Sequence, residues 1–184
     1  MNLKIKTCSF LLIFFLGIVF NLHSQETTST KVWRINILNP SVELELPTGR
    51  YSTFSAGVGI GYGGAYPNLS YSNNGFVYMI APFIDVQEKW FYNFEKRHIK
   101  EKNTSNNSGN FISARFLTRG NSIADNFSRT SNFDFSVGPT WGLQRSYNNK
   151  IHFLFDMGPI IYFDTKGNSG FYPIMLQLNF GFDI

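Results

Sequence analysis

The sequence predicts an all-β chain that forms a closed antiparallel up-and-down transmembrane β-barrel, with eight strands as the expected number. Apolar side chains recur at every second position from residue 31 onward, which is the period of a strand with one apolar face. The runs at 133–145, 151–163 and 172–184 have about 13 residues each, against roughly 5 to 6 in typical strands. The alternate positions hold Gly, Ser, Asn and isolated charges, as expected of a crowded barrel interior.

Residues 1–24 have the order of a secretory signal peptide. Lys4 and Lys6 precede an uncharged apolar run at 8–20, and a polar exit with a small residue follows. That order is typical of a cleaved signal, and the run is shorter than the roughly 20 residues that a spanning helix needs. A buried N-terminal helix is the alternative. We therefore predict a cleaved signal peptide at 1–24 and one barrel domain at 25–184.

Composition argues against a nucleic-acid partner and against a helical membrane anchor. The formal net charge is +4, and Lys4 and Lys6 of the predicted signal supply half of it, which leaves no strong basic field. After the signal, no apolar run reaches the length of a spanning helix. A barrel that turns its apolar face to lipid fits the outer membrane, whereas the rival, a secreted soluble barrel, would turn that face inward.

The number of strands depends on how residues 31–46 are divided. As one strand they give seven long segments, whereas a break between Asn39 and Pro40 gives eight. Bacterial single-chain barrels have even strand numbers, so we predict the break, although each piece is shorter than the roughly 9 to 11 residues of a spanning strand. Both termini then face the periplasm. Outer loops are expected at 64–75, 119–131 and 164–170, and periplasmic turns at 47–50, 96–109 and 147–149.

Three stretches carry a resemblance to a known group of proteins. They are "RINILNPSVELELP", "STFSAGVGIGYGG" and the terminal "LQLNFGFDI". With them, residues 31–184 resemble the small outer-membrane β-barrel proteins of Gram-negative bacteria, which have porin-like barrel domains of uncharacterised function. The last stretch resembles the C-terminal signal read by the barrel-assembly machinery, but it ends in Ile184 where an aromatic residue is usual. The resemblance implies the cell outer membrane as location, its lipid as surroundings and that machinery as a partner in biogenesis.

The stretch from Gly59 to Gly64 spells G-x-G-x-x-G, the pattern of a dinucleotide-binding turn. Such a turn needs a helix that starts at the glycines, and the "AYPNLSYSNNG" that follows cannot form one of useful length. We therefore interpret residues 54–63 as a strand whose glycines face inward and leave room for long side chains of neighbouring strands. No cofactor is expected.

The charged side chains that alternate with the apolar positions are expected to face the barrel interior. They are predicted to form a polar network of Arg34, Glu43, Glu45, Asp85, Lys89, Arg115, Asp134, His152 and Asp156, with Asp183 on the same face. An eight-stranded barrel has an interior only wide enough for side chains, and an unpaired buried charge is costly. We therefore expect a packed, closed lumen, with a narrow ion path as the alternative.

No catalytic or metal site is expected. A hydrolytic site needs a nucleophile, a base and an orienting group in mutual reach, and only two histidines, His98 and His152, follow the predicted signal. His98 falls in the charged turn at 96–109, and His152 is expected near the periplasmic end, away from lipid A. Asp134 and Asp156 could share a cation, although salt bridging is the preferred interpretation.

The expected function is that of an integral outer-membrane barrel with a structural or interaction role. A narrow porin-like channel is the first alternative, and a lipid-modifying enzyme that uses His152 is the second. A basic cluster in the turn at 96–109 is expected to be solvated, or else to touch phospholipid headgroups or peptidoglycan. Its members are Lys96, Arg97, His98, Lys100 and Lys102.

Overall fold

A computed structural model describes residues 28–63, 70–71 and 77–184 of the chain. The predicted signal peptide at 1–24 and most of the predicted outer loop at 64–75 lie outside these residues. None of the helices in the described part is long and apolar enough to cross a membrane.

The described chain is built from antiparallel strands with one short α-helix. The strands are β1 (Val32–Asn36), β2 (Ser41–Pro47), β3 (Ser52–Gly63), β4 (Ser70–Tyr71), β5 (Met79–Trp90), β6 (Asn110–Arg119), β7 (Ala124–Asp125), β8 (Ser128–Arg129), β9 (Asp134–Tyr147), β10 (Ile151–Asp164) and β11 (Ser169–Asp183). The helix α1 (Phe94–Ile99) and a 3₁₀ turn (Ser105–Asn107) lie between β5 and β6. The all-β prediction is confirmed, and the glycine-rich stretch is a strand up to Gly63, but the sequence pattern does not predict the helix.

Eight of the strands pair in a ring, in the order β1, β2, β3, β5, β6, β9, β10, β11. The last strand returns to the first, because Arg34 and Ile35 of β1 pair with Asp183 and Phe182 of β11. Every pairing in the ring is antiparallel. The antiparallel order and the number of strands in the ring therefore agree with the prediction from the sequence.

The turn between β1 and β2 falls where the sequence predicts a break. The carbonyl of Pro40 accepts a hydrogen bond from the Ile60 amide at 2.8 Å, and the Ile37 amide donates to the Phe180 carbonyl at 2.7 Å. The hairpin is short, because β1 has 5 residues and β2 has 7, whereas the flanking β3 and β11 have 12 and 15. The hairpin therefore pairs with β11 only near the C-terminal end of that strand, at Gly181, Phe182 and Asp183.

The two faces of the ring differ in polarity, as the alternation predicts. Side chains on the inner face are mostly polar and buried, so that Arg34, Lys89 and Asp156 have no exposed surface. The outer face is apolar and exposed. It includes one example from each ring strand in Ile35, Val42, Val58, Ile84, Ile112, Val137, Ile161 and Leu176. This arrangement inverts the usual pattern of soluble proteins, in which apolar residues fill the interior.

A β-bulge in β11 changes the face of one predicted outer residue. The sequence alternation places Tyr172 on the apolar face with Ile174. In the structure Gly158 pairs with Met175, but Ile160 pairs with Tyr172, so β11 has one residue more than β10 between the two pairs. Because directly opposite residues share a face, this register places Tyr172 on the inner side with the buried Ile160, and the predicted face is wrong there.

The inner glycines of β3 make room for different neighbours at two successive positions. A Cβ at Gly59 would lie 2.1 Å from the Pro40 carbonyl oxygen and 2.4 Å from the Ser41 Cβ, so the start of β2 already occupies that space. At Gly57 the Glu43 Cβ would lie at 3.7 Å, which is ordinary contact. The predicted room for a long side chain therefore exists at Gly57, whereas Gly59 is needed for a close approach of backbone.

The segment between β5 and β6 lies across the end of the ring that carries both described termini. Phe94 of α1 stacks on Phe91 with ring centroids 4.5 Å apart, and Phe111 of β6 meets Phe91 edge-on at 5.7 Å. These rings and Leu154 form a buried cluster. Asn107 is also buried. The predicted turn at 96–109 is therefore a folded and partly buried element, because it packs on aromatic side chains of the ring.

Candidate functional site in the ring interior and at its rim

The structure places all of the predicted interior residues inside the ring. Each of them has 8% or less of its surface exposed. They are Arg34 on β1, Glu43 and Glu45 on β2, Asp85 and Lys89 on β5, Arg115 on β6, Asp134 on β9, and His152 and Asp156 on β10. Ion pairs divide the charged ones into a terminal cluster with Asp183, a central cluster around Arg115 and a rim cluster around Asp134.

The terminal cluster centres on Arg34. The strand register puts Arg34 directly opposite Glu43 on β2 and Asp183 on β11, so both carboxylates lie on the same face as the guanidinium. The Arg34 Nη1 lies 3.3 Å from Glu43 Oε1, and its Nε lies 3.0 Å from Asp183 Oδ1. The Glu45 carboxylate also contacts Nη1. Three neighbouring strands are thus joined through one arginine.

Lys89 brings a second cation to the terminal cluster from the far side of β3. Its Nζ lies 3.2 Å from Glu43 Oε1 and 3.5 Å from Glu45 Oε2, and it donates a hydrogen bond to Gln144 Oε1 at 3.1 Å. β3 lies between β2 and β5, and its inner face there carries only small side chains. The lysine therefore reaches over β3 and ties β2 to β5 and β9.

The 3₁₀ turn supplies polar groups to the terminal cluster that the sequence interpretation missed. The Arg34 Nη2 donates to the Asn106 carbonyl at 3.0 Å, and the Asn107 Nδ2 donates to Glu45 Oε1 at 3.1 Å. Both asparagines have positive φ, at 50° and 61°, a region that asparagine tolerates better than most residues. The paired asparagines in "NTSNNSGN" are the signal that could have indicated this turn.

The central cluster pairs one arginine with two aspartates. Arg115 of β6 contacts Asp85 of β5 through two bonds, Nε to Oδ1 at 2.9 Å and Nη2 to Oδ2 at 2.7 Å. Its Nη1 also lies 3.2 Å from Asp156 Oδ1 on β10. Gln87 donates to the same aspartate at 3.1 Å. Two-bond contacts of this kind are among the strong hydrogen bonds of proteins, and they fix the middle of the interior.

The rim cluster pairs Asp134 with arginines other than the one that binds Asp156. The Asp134 carboxylate lies 3.4 Å from Arg119 Nη1 and 2.8 Å from Arg129 Nη2. The two aspartates that could share a cation are therefore each bound to arginine instead. Among the residues that the structure describes, no group of three or more His, Cys, Asp or Glu side chains could hold a metal ion.

His152 is buried beside the terminal cluster. Its Nδ1 lies 3.6 Å from Asp183 Oδ1, and neither ring nitrogen has a hydrogen-bond partner in the described part of the chain. A Ser-His arrangement needs the hydroxyl within hydrogen-bond reach of the imidazole, and no described hydroxyl is bonded to His152. The histidine thus lies beside Asp183 in the terminal cluster without a hydrogen bond from either ring nitrogen to the described residues.

A side cavity of about 330 Å³ opens beside the short β1–β2 hairpin. Leu38 of the turn and Leu176 of β11, which contribute to its lining, belong to the outer surface of the ring, whereas Gln177 and Arg115 belong to the inner face. The cavity therefore runs from the outer surface into the interior above the end of the hairpin. Its outer part is apolar, and its deep part meets the central cluster.

A second cavity, here called the basic pocket, has about 460 Å³ and lies beside α1 on the outer side of the ring. Its lining residues are Tyr92, Asn93, Lys96, Arg97, Lys100, Lys102, Asn110 and Arg145. Five of these are cationic and none is acidic. Partial burial lowers the pKa of the Arg97 guanidinium. Four members of the predicted basic cluster line this one concave site, and all of its members except the partly buried Arg97 are exposed.

The interior clusters and the two cavities differ in what they can do chemically. The interior clusters are buried ion pairs that join strands, and the two cavities are places that a ligand could enter.

In comparisons with known proteins, no family model matches this chain, and neither a curated protein nor a solved structure matches it.

Proposed function

We propose that the chain is an integral β-barrel protein of the outer membrane, exported by the signal at 1–24, with a structural or interaction role and a packed interior. The observation that carries the proposal is the inverted polarity of the ring. Charged side chains lie buried inside it, while large apolar side chains are exposed on the outside of all eight ring strands. A soluble barrel would bury its apolar face, whereas a barrel in lipid turns that face outward.

The outer surface would be a liability in water. Monomeric soluble proteins rarely expose a contiguous apolar patch larger than a few hundred Å². Here Trp33, Val58, Ile161 and Leu176 are exposed on four different strands, and apolar neighbours continue between them. Hydrocarbon would solvate such a surface without cost, so a membrane accounts for it better than an aqueous compartment does.

The pairing of β1 with β11 is also what hydrocarbon requires. An unpaired backbone group in lipid costs several kcal/mol, so spanning sheets leave no lipid-exposed edge. The return of the last strand to the first supports a closed barrel as the finer description of the ring. Both described termini lie at one end, because the Thr30 amide donates to Asn107 Oδ1 at 2.8 Å and the Ile184 amide donates to the Trp33 carbonyl at 2.8 Å.

The packing of the interior favours a barrel that does not conduct. Arg34, Glu45 and Lys89 have no exposed surface, and the aromatic cluster around Phe94 lies across the same end of the ring. Ions that entered from the other end would meet paired charges rather than a water-filled path. The narrow channel would require these ion pairs to separate, which is costly for buried charges.

Membrane fractionation tests the proposal directly. The chain should be recovered with outer membranes, resist extraction by alkaline carbonate, and migrate differently on gels with and without boiling, as a folded barrel does. Recovery in the soluble periplasmic fraction would refute the membrane location. In planar bilayers the purified chain should give no conductance steps. Regular steps would refute the packed interior and favour the alternative function of a narrow channel.

A further inference from the structure

We infer that the basic pocket beside α1 binds the phosphate group of an anionic phospholipid headgroup at the periplasmic rim of the ring. The inference deepens the proposed function and rests on it, because the membrane location is what brings headgroups to the pocket. It assigns a ligand-binding role to a site that is separate from the buried interior clusters.

Two arginines of the basic pocket are held by neutral acceptors. The Arg145 Nη1 donates to the carbonyls of Gly109 and Gln144, both at 2.7 Å, and its Nη2 donates to Asn110 Oδ1 at 2.6 Å. The Arg97 Nε and Nη2 donate to the Asn103 carbonyl at 3.2 and 2.6 Å. Neutral oxygens orient a guanidinium but do not cancel its charge. The pocket therefore presents positive charge in a fixed geometry.

The lysines of the basic pocket add to this charge. Lys96, Lys100 and Lys102 line the same cavity, whereas the two carboxylates of this segment, Glu95 and Glu101, are not among its lining residues. Like charges gathered in one concave site repel each other at short range. An anion with several oxygens would relieve that repulsion and could accept hydrogen bonds from both arginines and lysines.

The Tyr92 hydroxyl at the wall of the pocket is oriented by two donors. It accepts hydrogen bonds from the Trp141 indole Nε1 at 2.8 Å and from Asn110 Nδ2 at 3.4 Å. Its own proton has no acceptor among the described residues and is free to be donated to a ligand. Tyrosine and tryptophan are enriched at the level of lipid headgroups, so this pair places the pocket at the membrane surface.

The pocket adjoins the apolar outer face, which favours a lipid over a free phosphate ion. Trp141 pairs with Ile112 of β6, and both side chains are exposed on the outer face. A phospholipid whose phosphate lies in the pocket could lay its acyl chains along this surface. The cavity volume of about 460 Å³ falls within the roughly 300 to 1,000 Å³ of small-molecule sites.

Native mass spectrometry of the purified chain in neutral detergent tests the inference. The probes are phosphatidylglycerol, phosphatidylcholine with the same acyl chains, and inorganic phosphate.

Two triple variants are compared with the parent chain. The pocket variant Lys96→Gln/Lys100→Gln/Lys102→Gln changes three exposed lysines of the basic pocket. The control Lys31→Gln/Arg50→Gln/Lys150→Gln removes the same charge from exposed positions at the same end of the ring. The parent chain and the control should prefer phosphatidylglycerol over phosphatidylcholine. The pocket variant should lose at least about tenfold in that preference, as expected when charge-assisted hydrogen bonds are removed.

Three outcomes would overturn the inference. Equal losses in the pocket variant and the control would show that the preference comes from the overall positive charge at this end of the ring and not from the basic pocket. An unchanged preference in the pocket variant would place the lipid elsewhere. Binding of inorganic phosphate without any preference between the two lipids would make the pocket a free-phosphate site. The gel-migration and fractionation tests on the same variants separate these outcomes from a failure of the membrane location itself.

Discussion

Asn39 donates a hydrogen bond from its side-chain Nδ2 to the backbone carbonyl of Leu178 on β11, at 3.1 Å. The same amide accepts a hydrogen bond at Oδ1 from the Tyr62 backbone N–H on β3, at 3.1 Å. Asn39 lies in the turn of the short β1–β2 hairpin, which β3 and β11 flank on either side. One side chain thus satisfies a backbone group on each flanking strand just where the hairpin ends and the side cavity begins.

Replacing Asn39 with alanine should therefore weaken the ring at its shortest wall. The Leu178 carbonyl and the Tyr62 amide would each lose a partner, and we expect the free energy of unfolding to fall by about 1–3 kcal/mol. Urea unfolding of the chain in lipid vesicles measures this change. The exposed Asn121 offers a matched control, and Asn121→Ala should be neutral. Equal effects at both positions would mean that Asn39 does not bridge the flanking strands.

Gly59 on the inner face of β3 should not tolerate a side chain, not even the single methyl group of alanine. A Cβ there would lie 2.1 Å from the Pro40 carbonyl oxygen, so Gly59→Ala must displace backbone and should destabilise the chain by about 1–3 kcal/mol. Gly57→Ala is the control on the same face of the same strand, because its Cβ would meet only ordinary contacts. Similar unfolding curves for the two variants would contradict the close approach of the β1–β2 turn.

Removal of the buried Lys89 ammonium should lower the free energy of unfolding much more than removal of an exposed lysine. It pairs with Glu43 and Glu45 across β3, and Lys89→Met would leave those buried carboxylates with Arg34 as their one ion-pair partner in the described part of the chain. Loss of one partner of a buried ion pair costs about 3–5 kcal/mol, and chemical denaturation should show a drop of that size.

Two further variants sharpen the Lys89 test. Lys150 is exposed, so Lys150→Met should change the free energy of unfolding by less than about 0.5 kcal/mol. The double variant Lys89→Met/Glu43→Gln should recover part of the loss, because it removes one of the two carboxylates that would share Arg34 after Lys89 is lost. A double variant less stable than Lys89→Met alone would contradict this, because it would show that the contact of Glu43 with Arg34 outweighs the repulsion between the two carboxylates.

The sequence predicts the strands and the inner face well, because both depend on alternation alone. The alternation is regular along β9 and β10, which have 14 residues each. It places Asp134 of β9 and both His152 and Asp156 of β10 on the inner face. All three are buried inside the ring. Which acid pairs with which base depends on register, and a periodicity of two fixes the face of a residue but not its partner across the ring.

The features that sequence reasoning missed lie where the alternation is interrupted. The buried Asn107 sits in a 3₁₀ turn, and α1 has only 6 residues, so neither has room for a periodic signal. Tyr172 lies beyond the bulge in β11, and a single inserted residue reverses the face of all positions on one side of it. The basic pocket brings Arg145 of β9 to the same cavity as Lys96 of α1 and the two lysines that follow the helix, a proximity that no local pattern could indicate.

The docking of α1 should depend on a single aromatic side chain. A helix of 6 residues has no stability of its own in water, and Phe94 is its buried residue, stacked on Phe91 at 4.5 Å. Phe94→Ala should remove the contact that holds the helix and destabilise this end of the ring by about 3–5 kcal/mol. The helix carries Lys96 and Arg97, and Lys100 and Lys102 follow it. Release of the helix should therefore make the chain sensitive to trypsin between β5 and β6 while the ring strands stay protected. Ile99→Ala on the same helix is the control, because Ile99 is 75% exposed, and its cleavage rate should match that of the parent chain. Equal resistance of all three proteins to trypsin would show that the polar contacts of Asn106 and Asn107 hold the segment without Phe94.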